Sequence, residues 1–301
     1  MKVKESVFRD LLRIFVWYPI RWITKYISVD WGLFLFKVMG DVHFYAGGWK
    51  NRNIFHNMQK SLNTGRNTND IVKKYFEMYY IDRLHIFFYP KLTCKKEIEK
   101  YVYIEGLETL ERELRNNKGV LIVQPHFGPV QITLLTIALM GYNPIQIGYL
   151  TGSGLSKIGR SVALKYRAKY ESKLPAPILS GKKYLRKVYK HLLNGGVVLT
   201  TGDGAGGGIY LGEHQEFDFL GNKRKMPLGP ATWAIKTGAA FVPTFIIPET
   251  YNRFRIVFED PLSGNSNNLI RDRISITKQF IDIAARYIKM YPYCWHFWDE
   301  I

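Results

Sequence analysis

The chain has 301 residues, of which 47% are hydrophobic and 15% aromatic, so an intrinsically disordered protein is excluded. Its formal net charge of +18 at pH 7 indicates an anionic partner, for which a membrane surface and nucleic acid are the two obvious classes. The two cysteines, Cys94 and Cys294, lie far apart and outside any CxxC or Cys/His spacing, which argues against a disulfide scaffold and against a zinc site.

The N-terminal stretch, residues 7–27, is apolar and aromatic but is interrupted by charges too often to predict a membrane-spanning helix. Plotted at helical period, its polar residues fall within an arc of roughly 160°, opposite large apolar side chains. The polar arc consists of Arg9, Asp10, Arg13, Arg21, Thr24, Lys25 and Ser28. Such a helix either lies in the interface of an anionic membrane or packs on its own domain, and we favour the membrane. Pro19 is expected to kink or divide it.

The rest of the chain predicts an α/β protein. Residues 30–100 look helical, and from about residue 101 short apolar strands alternate with helices, which is typical of a mixed, largely parallel sheet flanked by helices. We therefore expect a membrane-associating helical region over residues 1–100 and an α/β region over residues 101–301, joined as one continuous domain. A hairpin is predicted near residues 209–220.

One of the buried-looking strands leads directly to a histidine. The apolar run from Gly119 to Gln124 ends just before His126, and a helix follows. Sheets of this kind place their chemistry at the carboxyl ends of the strands. The N-terminus of the following helix favours a neutral imidazole, which is the form that acts as a general base. His126 is thus either a base or a histidine that caps a helix without chemistry, and Gly128 would let a substrate approach the backbone.

A second strand ends at Asp203 and a glycine-rich turn. Gly202, Gly204 and Gly207 satisfy GxGxxG, but an extended segment follows instead of a helix, so a dinucleotide site is not predicted. The glycines, Gly204 among them, would instead let a bulky substrate lie close to the backbone. Asp203 is expected at the same edge of the sheet as His126, either as its partner or as a turn residue.

These motifs, in this order, resemble those of the lipid A late acyltransferases, which belong to the lysophospholipid acyltransferase superfamily. The resemblance covers roughly residues 100–260 and rests on His126-Phe-Gly, Asp203, Phe219-Leu-Gly-Asn, Gly229-Pro-Ala, Lys236-Thr-Gly-Ala and Val242-Pro243. It implies a glycerolipid acyltransferase-like fold at the cytoplasmic face of a bacterial inner membrane. Such enzymes move an acyl group from acyl carrier protein or coenzyme A to a lipid or glycolipid hydroxyl. No metal or redox cofactor is indicated.

The sequence departs from that family at one position. The family pairs its histidine with an acid in an HxxxxD or HxxxxE motif, and Gln131 stands where the acid is expected. In a Ser-His-Asp triad an acid-to-amide change costs about 10⁴ in turnover. Asp203 is our preferred replacement for the acid, ahead of Gln131 itself, and Glu249 is a weaker one. The alternatives are a non-catalytic lipid- or carrier-binding protein, an amine acceptor, and transfer of a non-fatty group such as an aminoacyl group.

Basic residues form two clusters after the second core strand. Arg160 resembles a family arginine that would face phosphate, with Lys157 and Arg167 beside it. The clusters are Lys157, Arg160, Lys165, Arg167 and Lys169, and Lys182, Lys183, Arg186, Lys187 and Lys190. Either could dock an acidic acyl carrier protein, or both could be solvated helix faces. Nucleic acid is the less favoured partner because no nucleic-acid-binding module is recognised.

Overall fold

A computed structural model of the chain describes residues 6–62, 68–148, 155–180, 185–204, 212–266 and 268–301. Its first helix is divided, as Pro19 predicts. Helix α1 (Val7–Phe15) passes through a π-helical turn (Val16–Ile20) into α2 (Arg21–Tyr26). Pro19 lies inside that turn, where its missing N–H and its ring disrupt the α-helical hydrogen bonds.

Further helices complete the N-terminal region. They are α3 (Val29–Ala46), α4 (Gly48–Leu62), α5 (Thr68–Leu84) and the short α6 (Lys95–Ile98), with a 3₁₀ turn at His85–Phe88. The hydroxyl of Ser28 caps α3 by accepting a hydrogen bond from the backbone N–H of Trp31. Helices α3 and α5 approach closely at Gly40, since a Cβ there would lie 2.5 Å from the Cα of Glu77. Within the described residues, no helix is both long and apolar enough to span a membrane.

Within the described residues, seven strands form the main sheet and two more form a hairpin. The strands are β1 (Val102–Glu105), β2 (Val120–Gln124), β3 (Ile145–Gly148), β4 (Ile178–Ser180), β5 (Val197–Thr201), β6 (His214–Phe219), β7 (Asn222–Pro227), β8 (Ala240–Thr250) and β9 (Arg253–Phe258). The sheet order is β1-β9-β8-β2-β5-β3-β4, and only the β8–β9 pair is antiparallel. The predicted mixed, largely parallel sheet is therefore confirmed.

Helices cover both faces of this sheet. They are α7 (Leu107–Arg115), α8 (Gln131–Leu139), α9 (Lys165–Glu171, after a π-helical turn at Gly159–Leu164), α10 (Leu185–Leu193), α11 (Gly229–Thr237) and α12 (Leu269–Met290). Successive residues of β2 point to opposite faces. Leu121 and Val123 join one core with α10, α11 and α12, whereas Val120 and Ile122 join the other with α7 and α8.

The hairpin lies slightly later than predicted, at His214–Pro227 instead of 209–220. Its two-residue turn consists of Leu220 and Gly221, which have φ values of +50° and +77°. Positive φ at both positions is what a tight hairpin turn requires. The sequence pattern does not mark Leu220 as a turn residue, because leucine seldom adopts a positive φ.

The N-terminal helices share a core with the sheet. Ile54 and Phe76 from α4 and α5 belong to the same buried cluster as Leu121 and Phe245 from β2 and β8. The two regions expected over 1–100 and 101–301 are thus packed together through apolar side chains, and the sheet is held against the helices that precede it.

Candidate active site

His126 and Asp203 occupy equivalent positions after neighbouring strands. In the parallel pair β2–β5, Gln124 is the register partner of Thr201, and the two candidate residues each follow two positions later. The backbone N–H of Gly202 continues the pairing by donating to the carbonyl of Gln124 at 2.9 Å. Parallel strands bring their carboxyl ends to one edge of the sheet, and here that edge holds both side chains.

Two hydrogen bonds join His126 to the Asp203 carboxylate, one from its ring and one from its backbone. The ring Nδ1 of His126 lies 2.7 Å from Asp203 Oδ1, and the backbone N–H of His126 donates to Asp203 Oδ2 at 2.9 Å. The indole N–H of Trp295 also donates to Oδ2, at 3.1 Å. Asp203 is only 1% exposed, so this buried carboxylate has hydrogen-bond donors on both oxygens.

The surroundings keep Asp203 ionised. Burial acts to raise its pKa, but the charge and hydrogen bonds of His126, with a smaller contribution from Arg224, outweigh burial and hold the pKa below 3.8. An ionised carboxylate only accepts hydrogen bonds, so Nδ1 of His126 must carry the proton between them. This leaves Nε2 of the neutral ring as a proton acceptor. Nε2 has no hydrogen-bond partner among the described residues, and 24% of the side chain is exposed.

A segment after α12 packs against residues 125–130, which carry His126 and which we call the histidine loop. We call residues 291–300, which include a 3₁₀ turn at Pro292–Cys294, the closing segment. The backbone N–H of Gly128 donates to the carbonyl of Cys294 at 2.8 Å, and the backbone N–H of His296 donates to the carbonyl of His126 at 2.9 Å. The sequence does not predict this contact, because more than 160 residues separate the closing segment from His126 along the chain.

Two glycines shape the loops around the pair. Gly128 has φ +62°, and a Cβ on it would lie 2.5 Å from the carbonyl oxygen of Ile246, so only glycine fits there. Gly204 has φ +95° and open space where a Cβ would stand, so its backbone conformation requires glycine, although the space does not. Gly128 therefore serves close packing of the histidine loop, whereas Gly204 lets the chain turn immediately after Asp203.

Aromatic and basic side chains form the rim of the site. The ring of Phe297 lies 4.6 Å from the ring of His126, and the Arg224 guanidinium lies 5.0 Å from Phe297 and 5.3 Å from Trp295. The ring of His296 is 6.3 Å from that of His126. Burial, the largest effect, lowers the pKa of His296, and the neighbouring His126 lowers it further, so His296 is neutral near pH 7.

Gln131 does not take the place of the missing acid. It begins α8, its Oε1 is buried without a hydrogen-bond partner among the described residues, and no hydrogen bond there joins it to His126. The imidazole is oriented instead by Asp203, from the neighbouring strand.

The first basic cluster lies apart from the pair. Lys157 and Arg160 are exposed, and the Arg160 guanidinium donates to the carbonyl of Leu155 at 2.9 Å. Arg167 forms an ion pair with Glu171 at 2.7 Å. Within the described residues none of these three cations contacts His126 or Asp203, so a role for them in binding substrate stays a prediction.

Three other sequence predictions concern Glu249, residues of the glycine-rich turn and second basic cluster, and metal binding. Glu249 forms an ion pair with Arg255 at 3.0 Å instead of reaching the histidine. Gly207, Lys182 and Lys183 lie outside the described residues. No group of three or more potential metal ligands occurs among the residues that the structure describes.

Comparison with known proteins identifies the family of the chain. A search of curated proteins found no match. The model of one protein family, described as bacterial lipid A biosynthesis acyltransferase, matches residues 10–299, which is nearly the whole chain. The chain therefore belongs to the bacterial lipid A biosynthesis acyltransferase family.

Proposed function

We propose that the protein transfers an acyl group from a carrier thioester to the hydroxyl of a lipid or glycolipid acceptor, with His126 as the general base and Asp203 as its orienting partner. The observation that carries the proposal is the 2.7 Å contact between His126 Nδ1 and the buried Asp203 carboxylate. The family motif has an acid where this chain has Gln131, and the contact with Asp203 supplies a carboxylate instead. It fixes the tautomer in which Nε2 accepts a proton.

The chemistry follows from that tautomer. His126 Nε2 takes the proton of the acceptor hydroxyl while the hydroxyl oxygen attacks the thioester carbonyl and a C–O bond forms. The imidazolium that results is stabilised by the Asp203 carboxylate. When the tetrahedral intermediate collapses, the C–S bond breaks and the sulfur takes the proton from Nε2. The products are an ester and a free thiol, and His126 returns to its starting form.

An acidic acyl carrier protein is our preferred donor, with coenzyme A as the second choice. Four cations, Lys157, Arg160, Lys165 and Lys169, are exposed at roughly helical spacing, and none has an ion-pair partner among the described residues. An unneutralised basic face of this kind attracts an acidic protein and speeds its encounter.

A membrane surface is the proposed location, at the cytoplasmic face of a bacterial inner membrane. Much of the polar arc of the first helix faces the protein, although Lys25 and Ser28 are exposed. Asp10 accepts a hydrogen bond from the Ser156 hydroxyl at 2.6 Å, and Arg21 stacks on the Tyr166 ring at 4.3 Å, while Thr24 is 1% exposed. A helix that directs its polar residues into the protein leaves its apolar side to face another apolar medium.

Helix α3 also exposes apolar and aromatic side chains. We call the exposed apolar and aromatic side chains of α1, α2 and α3 the aromatic face. They include Leu11, Phe15, Tyr18, Trp22, Tyr26, Trp31, Phe34, Val38, Val42 and Tyr45. Trp31, Phe34, Val38 and Val42 follow helical spacing, so they form one stripe. Tryptophan and tyrosine are the residues that best suit the boundary between lipid and water.

A transfer assay tests the proposal. Purified protein with anionic vesicles would receive acyl carrier protein and coenzyme A thioesters of several chain lengths, with lysophospholipid and lipid A precursor acceptors. We expect thiol release coupled to an acylated lipid product, and loss of both with His126→Ala. His126→Ala with full transfer activity would rule out the base. A wild-type protein that binds the acceptor lipid and transfers nothing would favour the non-catalytic binding protein.

The same assay separates the remaining alternatives. Amine acceptors presented beside the hydroxyl acceptors, and aminoacyl carriers beside the fatty acyl donors, compete directly for the enzyme. Preferential formation of an amide, or use of only the aminoacyl donor, would replace the proposed substrates while leaving the His126–Asp203 pair in its role.

A further inference from the structure

Among the described residues, the indole of Trp295 donates to the carboxylate that contacts His126. Trp295 is fully buried, and its N–H reaches Asp203 Oδ2 at 3.1 Å. Its ring lies edge-on to Trp298 at 5.1 Å and to Phe219 at 5.5 Å, which holds the indole in position from two sides. The bond therefore comes from a side chain whose own freedom is removed by packing.

The two oxygens of Asp203 have different partners. Oδ1 faces His126 Nδ1, whereas Oδ2 accepts from the backbone N–H of His126 and from Trp295. Two donors on Oδ2 restrict rotation of the carboxylate about its Cβ–Cγ bond. With that rotation restricted, Oδ1 stays aimed at the imidazole.

The residues on either side of Trp295 are tied to the loop that carries His126. The Cys294 carbonyl accepts from Gly128, and the His296 N–H donates to the His126 carbonyl. A backbone bridge also pairs Phe127 with Trp295. The closing segment and the histidine loop are thus joined by backbone hydrogen bonds, and the position of the indole is set relative to the imidazole.

We propose that Trp295 is a positioning residue that holds the Asp203 carboxylate against His126, so that the closing segment completes the site. This inference rests on the proposed function for what the positioning achieves. Arg224 and His296 also lie near Asp203, but among the described residues Trp295 is the side chain that donates to Oδ2.

The test compares two conservative variants of the full-length protein. Trp295→Phe removes the indole N–H from Asp203, whereas Trp298→Phe removes an equally buried indole N–H that donates at 2.6 Å to the carbonyl of Pro292. Both changes leave an aromatic ring and a similar gap. The readout is the ¹⁵N spectrum of the His126 imidazole at a pH where the ring is neutral, assigned by comparison with His126→Ala.

We expect the wild type and Trp298→Phe to hold the Nδ1–H tautomer, and Trp295→Phe to show a mixture with Nε2–H. In the transfer assay Trp295→Phe should lower kcat by about tenfold or more with KM little changed, because misorientation of the base acts on the chemical step. An unchanged tautomer in Trp295→Phe, or an equal change in Trp298→Phe, would overturn the inference.

The spectrum also separates this inference from the proposed function. A protein with no transfer activity whose His126 tautomer still depends on Trp295 would contradict acyl transfer but not the positioning. An active protein in which His126 has the same tautomer in the wild type and in Trp295→Phe would contradict only the positioning role of Trp295.

Discussion

Two tryptophans near the start of the chain and two in the closing segment are placed in opposite ways, although Trp17, also near the start, is only 8% exposed. Near the start, Trp22 and Trp31 are 58% and 67% exposed, whereas in the closing segment Trp295 and Trp298 are 0% exposed. A soluble protein ordinarily buries such large rings wherever it can. Tryptophan as a residue type therefore does not decide whether the ring is buried or exposed. The positions of the polar groups that bond to the same segment decide it.

At each end those partners lie inside the protein. The polar side of the first helix finds Ser156 and Tyr166 in the α/β region, so the apolar side is left outside. In the closing segment the indole N–H groups find Asp203 and the carbonyl of Pro292, so the rings are drawn inside. One end therefore exposes aromatic side chains, and the other buries them around the His126–Asp203 pair.

The largest effect is expected at the buried end. Asp203→Asn keeps a side chain of the same shape but removes the charge, and its NH₂ group can favour the wrong tautomer of His126. We expect the transfer rate to fall by about 10⁴, as in an analogous triad. The measurement is kcat in the assay with thioester donors. A fall of less than about tenfold would mean that Asp203 is not the partner that catalysis needs.

Gln131→Glu is the matched control for that change. It restores the acid at the motif position, but Asp203 already occupies Nδ1 of His126. We expect kcat within about twofold of the wild type, since the Nδ1–H of His126 already donates to a carboxylate and a second carboxylate would not change its orientation. A large gain in rate would show that the glutamine weakens an ordinary pair and that Asp203 orients the ring poorly.

The stability of the fold should depend on the buried tryptophans of the closing segment and not on the exposed tryptophans near the start of the chain. Trp298→Ala leaves a cavity in the core and should lower the free energy of unfolding by about 3–5 kcal/mol. Trp31→Ala removes an exposed ring and should change it by no more than about 0.5 kcal/mol. Urea unfolding without vesicles measures both. Similar losses of unfolding free energy in Trp298→Ala and Trp31→Ala would show that the buried and the exposed tryptophans do not differ in their contribution to stability.

Membrane binding should show the reverse dependence. Replacing both Trp22 and Trp31 by serine removes two large rings from the aromatic face, and each should weaken vesicle binding about tenfold. Co-sedimentation with anionic vesicles measures the effect. Tyr103→Ser is the control, because Tyr103 is 63% exposed but lies on β1. An equal loss of vesicle binding in Tyr103→Ser, or no loss in the double variant, would show that the aromatic face does not attach the protein to the membrane.

The smallest effect is a dependence of stability on pH. Because the pKa of Asp203 is lowered in the folded protein, its ionised form adds stability above its ordinary value of 3.8, and that stability is lost as pH falls through the lower folded value. Asp203→Asn lacks this contribution. We expect the wild type to lose more stability than the variant between about pH 5 and pH 3 in urea unfolding. Parallel losses would mean that the pKa of Asp203 is not lowered.

Much of the fold follows from local pattern. The apolar runs that become β2, β5 and β8 alternate with helices, so the sheet and the shared edge of its strands are predictable. Pro19 marks the division of the first helix because proline acts on its own turn. These features depend on residues close together in the sequence.

The parts that pattern could not supply depend on distant partners. The arc of the first helix predicts two faces, but Ser156 and Tyr166, which decide that the polar face turns inward, come more than 140 residues later. The aromatic residues of the closing segment are visible in the sequence. Nothing local places Trp295 on Asp203, 92 residues away, and the spacing rule for the acid points to Gln131 instead.

Chain order also separates the two ends in time. During synthesis the helices that carry the aromatic face leave the ribosome long before Trp295 and His296 do. Until residues 291–298 emerge, the Asp203 carboxylate lacks its indole donor and the histidine loop lacks its backbone partners. The aromatic face is therefore synthesised before the residues that complete the hydrogen bonds around His126 and Asp203.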